Sequence, residues 1–263
     1  MGELARPEKQ GAKRSFSRAA SRYDEIAMLQ KEVGNNLLAR LPSENLREKR
    51  ILDVGAGTGF CSTKLASMTN EVIVLDISTG MLNEAKNNVP GTARIICGDA
   101  EALPLRSESI DVIFSNLALQ WCVNLDALFS DLYRVLKPGG LLLFSSFGPS
   151  TLHELKLAWE SVDQNSHVNE FYSVSDLSLK MCRYGFSSPT IEVETKKIQY
   201  ASAMSLMGEL KGIGAGNVTR GRFRGMTGKA KLLQVIKRYE EIGVEQEILA
   251  TFELLYGRAL KPK

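Results

Sequence analysis

A chain of 263 residues is long enough to bury one large core, so the sequence reads as a single domain with elaborations. Its 44% hydrophobic and 24% charged content is that of a water-soluble globular protein, and a net charge of +3 is too small to demand nucleic acid. No uninterrupted apolar run approaches the roughly 20 residues that would span a bilayer. Cys61, Cys97, Cys122 and Cys182 lie far apart with no C-x-x-C pair, which argues against zinc or redox chemistry and for a reducing, cytoplasmic setting.

Residues 1–13 are polar, lack the apolar stretch of a secretory signal and carry Glu3 and Glu8, so they read as a frayed tail. After the basic stretch 15–22 and the pair Tyr23-Asp24, residues Ile26, Leu29, Val33, Leu37, Leu38 and Leu41 recur at helical spacing. They predict an N-terminal helical arm ending near Pro42, with Phe16 and Tyr23 either packed on the main domain or serving as a lid. Residues 50–54 predict a first strand and 59–67 a helix. Between them, Asp53 is followed by glycines at 55, 57 and 59, the spacing of a tight turn whose backbone can approach a ligand. A dinucleotide fingerprint would put its third glycine at Phe60, so pyrophosphate binding is the weaker reading. The acid two residues before Gly55 suits a ligand with a cationic amino acid part.

Residues 71–76 predict strand two, ending in Asp76, and Ser78 is placed to cap the next helix, which carries Met81. Strand three is 94–97, followed by Asp99, Ala100 and Glu101. Strand four, 110–116, ends in Asn116. A helix over 124–136 stops at Lys137-Pro138-Gly139-Gly140, and 140–147 form strand five. Strands alternating with helices imply a parallel, doubly wound α/β sheet whose ligands sit at the carboxyl ends of the strands. Asp53, Gly55, Asp76, Asp99 and Asn116 all fall there, which points to one shared pocket.

Beyond strand five the spacing predicts helices over 151–162 and 174–184, a polar loop over 163–171, and two last strands over 190–200 and 251–260. Between those strands lies an insertion holding Lys211, Gly212, Ile213, Gly214, Ala215, Gly216 and Asn217, then the basic run Arg220, Arg222, Arg224, Lys229, Lys231, Lys237 and Arg238. The chain therefore divides into an arm over 1–45, a core over 46–200 and 251–263, and a helical cap over 201–250.

The set Asp53/Gly55/Gly57/Gly59, Asp76, Asp99 and Leu136-Lys137-Pro138-Gly139-Gly140 resembles the class I S-adenosylmethionine-dependent methyltransferases. The resemblance implies a mostly parallel, seven-stranded Rossmann-like sheet, with S-adenosyl-L-methionine as cofactor and S-adenosyl-L-homocysteine as product. It assigns the methionine part to the turn (Asp53, Gly55, Ala56, Gly57, Gly59), the ribose to Asp76 and the adenine amino group to Asp99 beside Ala100. Ile77 and Met81 would wall the adenine, although Met81 also reads as plain core. Asn116 would close the pocket at the end of strand four.

A second resemblance covers nearly the whole chain. Phe16-Ser17-Arg18-Ala19-Ala20 with Tyr23, 116–122 (Asn-Leu-Ala-Leu-Gln-Trp-Cys), His167-Val168-Asn169 with Phe171, and 210–215 resemble the malonyl-carrier-protein O-methyltransferases of biotin synthesis. These methylate the free carboxylate of a malonyl thioester on acyl carrier protein. Ala56 stands where many members have cysteine, and Glu170 where an arginine is expected, which alters any grip the 167–171 loop exerts.

A carboxylate is already ionised at neutral pH, so methyl transfer to it needs no general base. The chain lacks the Asp/Asn-Pro-Pro-aromatic tetrad of amino-methylating nucleic-acid enzymes, and Cys122 reads as a small buried hydrophobe. Groups that could orient the acceptor are Tyr23, Gln120, His153, His167, Lys211, Asn217 and Arg222; Tyr23, Gln120 and Trp121 read as pocket wall, because strand four ends beside the cofactor. The run Arg220, Arg222, Arg224, Lys229 and Lys231 would meet a small acidic carrier protein, and otherwise reads as a solvated helix face. Alternatives at this stage are a methyltransferase for a small apolar metabolite such as a quinone precursor, a non-catalytic cofactor-binding module, and a nucleic-acid methyltransferase.

Overall fold

The computed structural model describes residues 8–163, 165–216, 228–242 and 248–263. Two helices, α1 (Lys9–Ile26) and α2 (Met28–Leu38), precede the sheet. Then follow β1 (Arg50–Val54), α3 (Phe60–Met68), β2 (Glu71–Asp76), α4 (Thr79–Asn88), β3 (Arg94–Cys97) and β4 (Ile110–Ser115). A short 3₁₀ turn (Leu119–Trp121) leads to α5 (Leu125–Val135) and β5 (Leu136–Phe147). The chain continues through α6 (His153–Glu160), α7 (Val174–Arg183), β6 (Ser187–Tyr200), α8 (Ala203–Gly212), α9 (Lys229–Ile242) and β7 (Ile248–Leu260).

The seven strands form one sheet in the order β3-β2-β1-β4-β5-β7-β6. Pairing is parallel from β3 through β5, and β7 runs antiparallel to both β5 and β6. This is the mostly parallel, seven-stranded Rossmann-like architecture. Its central strands are apolar on both faces, because helices cover both sides. On one face Ile51, Val72, Val74 and Phe114 join Leu37 and Leu65; on the other Leu52, Ile73, Leu75 and Ile113 join Phe129 and Leu132. The chain winds outward from β1 to β3 and then returns to β4 on the other side of β1. The ends of β1 and β4 therefore flank the point where strand order reverses, the place where such sheets bind ligands.

Three sequence readings need correction. The stretch through Lys13 is not frayed throughout: α1 starts at Lys9 and docks on α4, where Ser17 Oγ and Ser78 Oγ lie 2.8 Å apart. The arm is two helices rather than one, broken at Ala27, and α2 ends at Leu38, before Pro42. Strand five begins at Leu136 rather than Gly140, because Leu136 already pairs with Ile110 of β4 ahead of a bulge at 137–140, where Gly139 N–H donates to Lys261 O at 2.9 Å.

Between β6 and β7, α8 and α9 pack on the α6 side of the sheet. In α9, Val235 and Tyr239, one turn apart, are buried, and Tyr239 Oη donates to Leu249 O at 2.7 Å. Lys237 and Arg238 lie on its exposed face.

Candidate active site

The turn after β1 is built by its glycines. Gly55, Gly57 and Gly59 have φ of 70°, 57° and 86°, the left-handed region that side chains disfavour. Gly55 is also a close approach: a Cβ there would lie 2.2 Å from Ala118 Cβ, beyond the end of β4. The turn donates inward. Gly55 N–H and Ala56 N–H both reach Leu75 O, at 2.8 and 3.0 Å, and Gly57 N–H reaches Asp76 Oδ2 at 2.9 Å. Donors spent in this way cannot cradle a pyrophosphate, which agrees with the displaced third glycine. At Gly57 a Cβ would meet nothing within 4 Å, so the backbone faces open space.

That space is an open cleft of about 800 Å³, counted to its open mouth. Gly55, Gly57, Asp76, Ile77, Met81, Asp99, Ala100 and Asn116 line it from the sheet side. Lys9, Phe16 and Tyr23 of α1 line it from above. A smaller hollow at the other side of the turn is lined by Asp53, Ala56 and Thr58, and by Asp24, Gln30 and Lys31 of the arm; Tyr23, Gly55, Gly57 and Asn116 border both. Gly59 lines neither. It caps α3, and a Cβ there would come within 2.8 Å of Val89.

Burial sets the electrostatics. Asp53 is 1% exposed; burial pushes its carboxyl up to about 7, against the pull of the Ser62 hydroxyl, which donates to Asp53 Oδ2 at 2.6 Å, and with some help from Asp76. Burial also raises Asp76, countered by N–H bonds from Ser78, Gly57 and Ile77. The Tyr23 phenol is raised far above its ordinary value by burial first and by Asp76 and Asp24 second, so it remains a neutral donor. Cys122 is likewise pushed up by burial, which leaves it a thiol and no nucleophile.

The arm is fastened by Phe16, which the sequence offered as a packing residue or a lid, and by Lys9 and Thr58, to which the sequence reading gave no role. Lys9 Nζ lies 2.7 Å from both Asp99 Oδ2 and Glu101 Oε2. Phe16 meets Trp121 edge to face with centroids 5.1 Å apart. Thr58 Oγ1 donates to Asp24 Oδ1 at 3.0 Å, tying the arm to the glycine turn. Asp99 Oδ1 accepts from Glu101 N–H at 3.0 Å, so both oxygens are engaged; a carboxylate retains lone pairs for a further donor.

Trp121 also borders a second, largely apolar cavity of about 960 Å³ counted to its open mouth, lined by Phe147, Leu155, Trp159, Phe171, Leu210 and Lys211 among others. Beyond it, sharing Trp159, His167 and Val168, opens a polar hollow with Lys156, Asp163 and Glu170. His167 stacks on Trp159 with centroids 3.6 Å apart and pairs with Asp163 at 2.8 Å.

Two expected substrate contacts fall elsewhere. Gln120 is buried behind the wall: its Nε2 donates to Leu117 O at 2.8 Å, while its neighbours Leu119 and Trp121 face the cleft. His153 lines neither cavity. Its ring turns out to Ser150 O, with 49% of the side chain exposed, because it opens α6 at the surface. Asn217, Arg220, Arg222 and Arg224 lie outside the described residues, as does the side chain of Lys229. Lys231 is exposed and pairs with Asp163 at 3.2 Å.

Among the described residues no cluster of side chains could hold a metal ion, and no helix is long and apolar enough to cross a membrane. The residues present do fit S-adenosylmethionine. An acid and an open glycine backbone face one cleft, apolar walls flank it, and the adjoining hollow is lined by Gln30, whose buried Oε1 has no hydrogen-bond partner among the described residues.

Residues 52–144 match the methyltransferase domain family. In fold the chain is similar to the YcgJ protein of Bacillus subtilis, with a TM-score of 0.64 at 19% identity, covering 88% of this chain and 98% of that one. Fold, motifs and family match together define a class I S-adenosylmethionine-dependent methyltransferase. The chain is 40% identical to the malonyl-[acyl-carrier protein] O-methyltransferase of Gallionella capsiferriformans, over 97% of this chain and 91% of the relative. It is also 40% identical to the biotin biosynthesis bifunctional protein BioHC of Cellvibrio japonicus, over 97% of this chain and 51% of that protein. It belongs to the family of malonyl-[acyl-carrier protein] O-methyltransferases.

Proposed function

We propose that the protein transfers a methyl group to the free carboxylate of malonyl-acyl-carrier protein, giving the methyl ester used in biotin synthesis in the cytoplasm. The observation that carries this reading is a largely apolar cavity abutting the cofactor cleft at Trp121, in a chain 40% identical to a protein of that name. Bound S-adenosylmethionine supplies an electrophilic methyl group on a sulfonium.

The protein's own task is alignment and desolvation. The acceptor carboxylate is ionised at neutral pH and needs no base. Fixing it in line is worth roughly 7–11 kcal/mol, and the apolar walls strip its water. Tyr23 and Trp121 guide the acceptor at the junction of the cavities, and Lys211 in the apolar cavity holds its anionic or thioester end. Asp76 holds the ribose, Asp99 the adenine amino group, and Asp53 with the turn the methionine part. The polar hollow at His167 is the route by which the carrier's prosthetic arm reaches the apolar cavity. The arm over 1–45 acts as the lid and 201–250 as the cap.

The carrier protein docks on the basic run. Lys231 is already paired with Asp163, so Arg222 and Arg224 bear most of the steering. Charge reversal at both is expected to raise KM for malonyl-carrier protein about tenfold or more, while KM for malonyl-CoA changes little; equal effects on both substrates would refute the docking surface. The transferred methyl should be released by an esterase, and a methyl that resists one would refute carboxyl methylation.

A further inference from the structure

Among the described residues, Gln30 alone borders both the hollow beside the glycine turn and the apolar cavity. Its position is fixed through its backbone. Asn116 Nδ2 donates to Gln30 O at 2.9 Å, Ser145 Oγ donates to Asn116 Oδ1 at 2.8 Å, and Leu117 N–H donates to Ser145 Oγ at 3.0 Å. This chain of bonds registers α2 against the ends of β4 and β5. The Gln30 side chain projects from that anchor, and its Oε1 is shut off from solvent with no hydrogen-bond partner among the described residues. Buried acceptors are nearly always bonded, so one left open in an otherwise satisfied site marks the place of a ligand donor.

The surroundings say which donor. Asp53 and Asp24 also line the hollow, so acceptors predominate there. Its cation, Lys31, is bonded to Asp24 O at 2.6 Å, and the Asn116 amide is spent on Gln30 O. Such a place takes a cationic donor with several N–H groups. We propose that Gln30 Oε1 accepts an N–H bond from the α-ammonium of the methionine part of S-adenosylmethionine. Gln30 is then the cofactor-binding residue that sets how far the sulfonium projects toward the apolar cavity. The proposal rests on the cofactor alone and is independent of the identity of the methyl acceptor.

The test is equilibrium binding by calorimetry with two ligands: S-adenosylhomocysteine, which carries the ammonium, and 5′-methylthioadenosine, which lacks the amino acid part. Gln30→Leu is expected to raise Kd for S-adenosylhomocysteine about tenfold and leave 5′-methylthioadenosine unchanged. Gln30→Glu keeps the acceptor and should bind S-adenosylhomocysteine at least as well as the native protein. Because Gln30→Leu removes an unpaired buried carbonyl, the ligand-free Tm should hold or rise while the Tm gain on adding S-adenosylhomocysteine shrinks. Should Gln30→Leu fail to fold, Gln30→Met serves in the same comparison. Unchanged S-adenosylhomocysteine affinity would overturn the proposal. So would equal weakening of both ligands, or an effect confined to KM of the methyl acceptor.

Discussion

Gly34 tests whether α2 is seated as closely as described. It lies in the middle of the helix, where replacing glycine by alanine ordinarily gains about 1 kcal/mol. Here a Cβ would come within 2.7 Å of Cys61 Sγ on α3 and 3.1 Å of Asn116 Nδ2. Overpacking of this kind costs roughly 1–3 kcal/mol. Displacing the Asn116 amide from Gln30 O would cost about another 1 kcal/mol. Gly34→Ala should therefore destabilise by about 1–3 kcal/mol despite the helix preference. Cys61→Ala alone should cost about 1 kcal/mol, the transfer term of a small buried group. In the double variant the alanine at 34 enters the space that Sγ leaves, so stability should return close to that of the native protein. Urea denaturation of the four proteins gives the coupling, expected at about 2–4 kcal/mol in the direction of rescue. Additive effects, or a stabilised Gly34→Ala, would refute the close seating of α2 on α3 and with it the placement of Gln30.

Other outcomes follow from the same geometry. Asp76→Ala should weaken S-adenosylmethionine about 10–100-fold by calorimetry, since it loses a ligand contact and frees Gly57 N–H from the turn; unchanged affinity would contradict the cleft. Asp53 titrates near 7 in the folded chain and near 4 when unfolded, so the folded state holds a proton that the unfolded state has released in between. Its contribution to stability is thus full below about pH 4 and falls as pH rises to about 7, by up to about 1.4 kcal/mol per pH unit. Asp53→Asn should flatten that slope in urea titrations between pH 4 and 7, and an unaltered slope would count against the buried acid. Lys9→Met removes contacts to Asp99 and Glu101 worth about 1 kcal/mol between partly buried groups, and should speed proteolysis within α1 about fivefold without changing the global unfolding midpoint greatly.

The core of the sheet was legible because short apolar runs stop at an acid or a glycine: Val72 to Leu75 at Asp76, Val54 at Gly55, and Ile95 to Cys97 at Gly98. Val72, Ile73, Val74 and Leu75 can only be a strand buried on both faces, and Asp76 at its end can only face the carboxyl edge. The caps were less legible. Helix α1 buries little beyond Ala12 and Ala20, so it has no apolar stripe to read; tertiary contacts from Lys9, Phe16 and Ser17 hold it. Trp121 and Gln120 were both read as wall, but a 3₁₀ turn sends adjacent side chains in different directions, and the sequence does not show which faces the cleft. His153 illustrates the same limit: a polar residue near the site in sequence turned outward once α6 began. Gln30 gave no signal because the polar run Gln30, Lys31 and Glu32 between Leu29 and Val33 looks like a helix surface. Its meaning lies in an oxygen with no partner, which only the packed structure reveals.

The central claim is that an acceptor carboxylate takes the methyl group. The most direct measurement is intact mass of the carrier protein after incubation with S-adenosylmethionine and enzyme, comparing malonyl-loaded with acetyl-loaded carrier. The account predicts that malonyl-carrier protein gains the mass of one CH2 and that acetyl-carrier protein, which has no free carboxylate, gains nothing. Equal methylation of the two would contradict it.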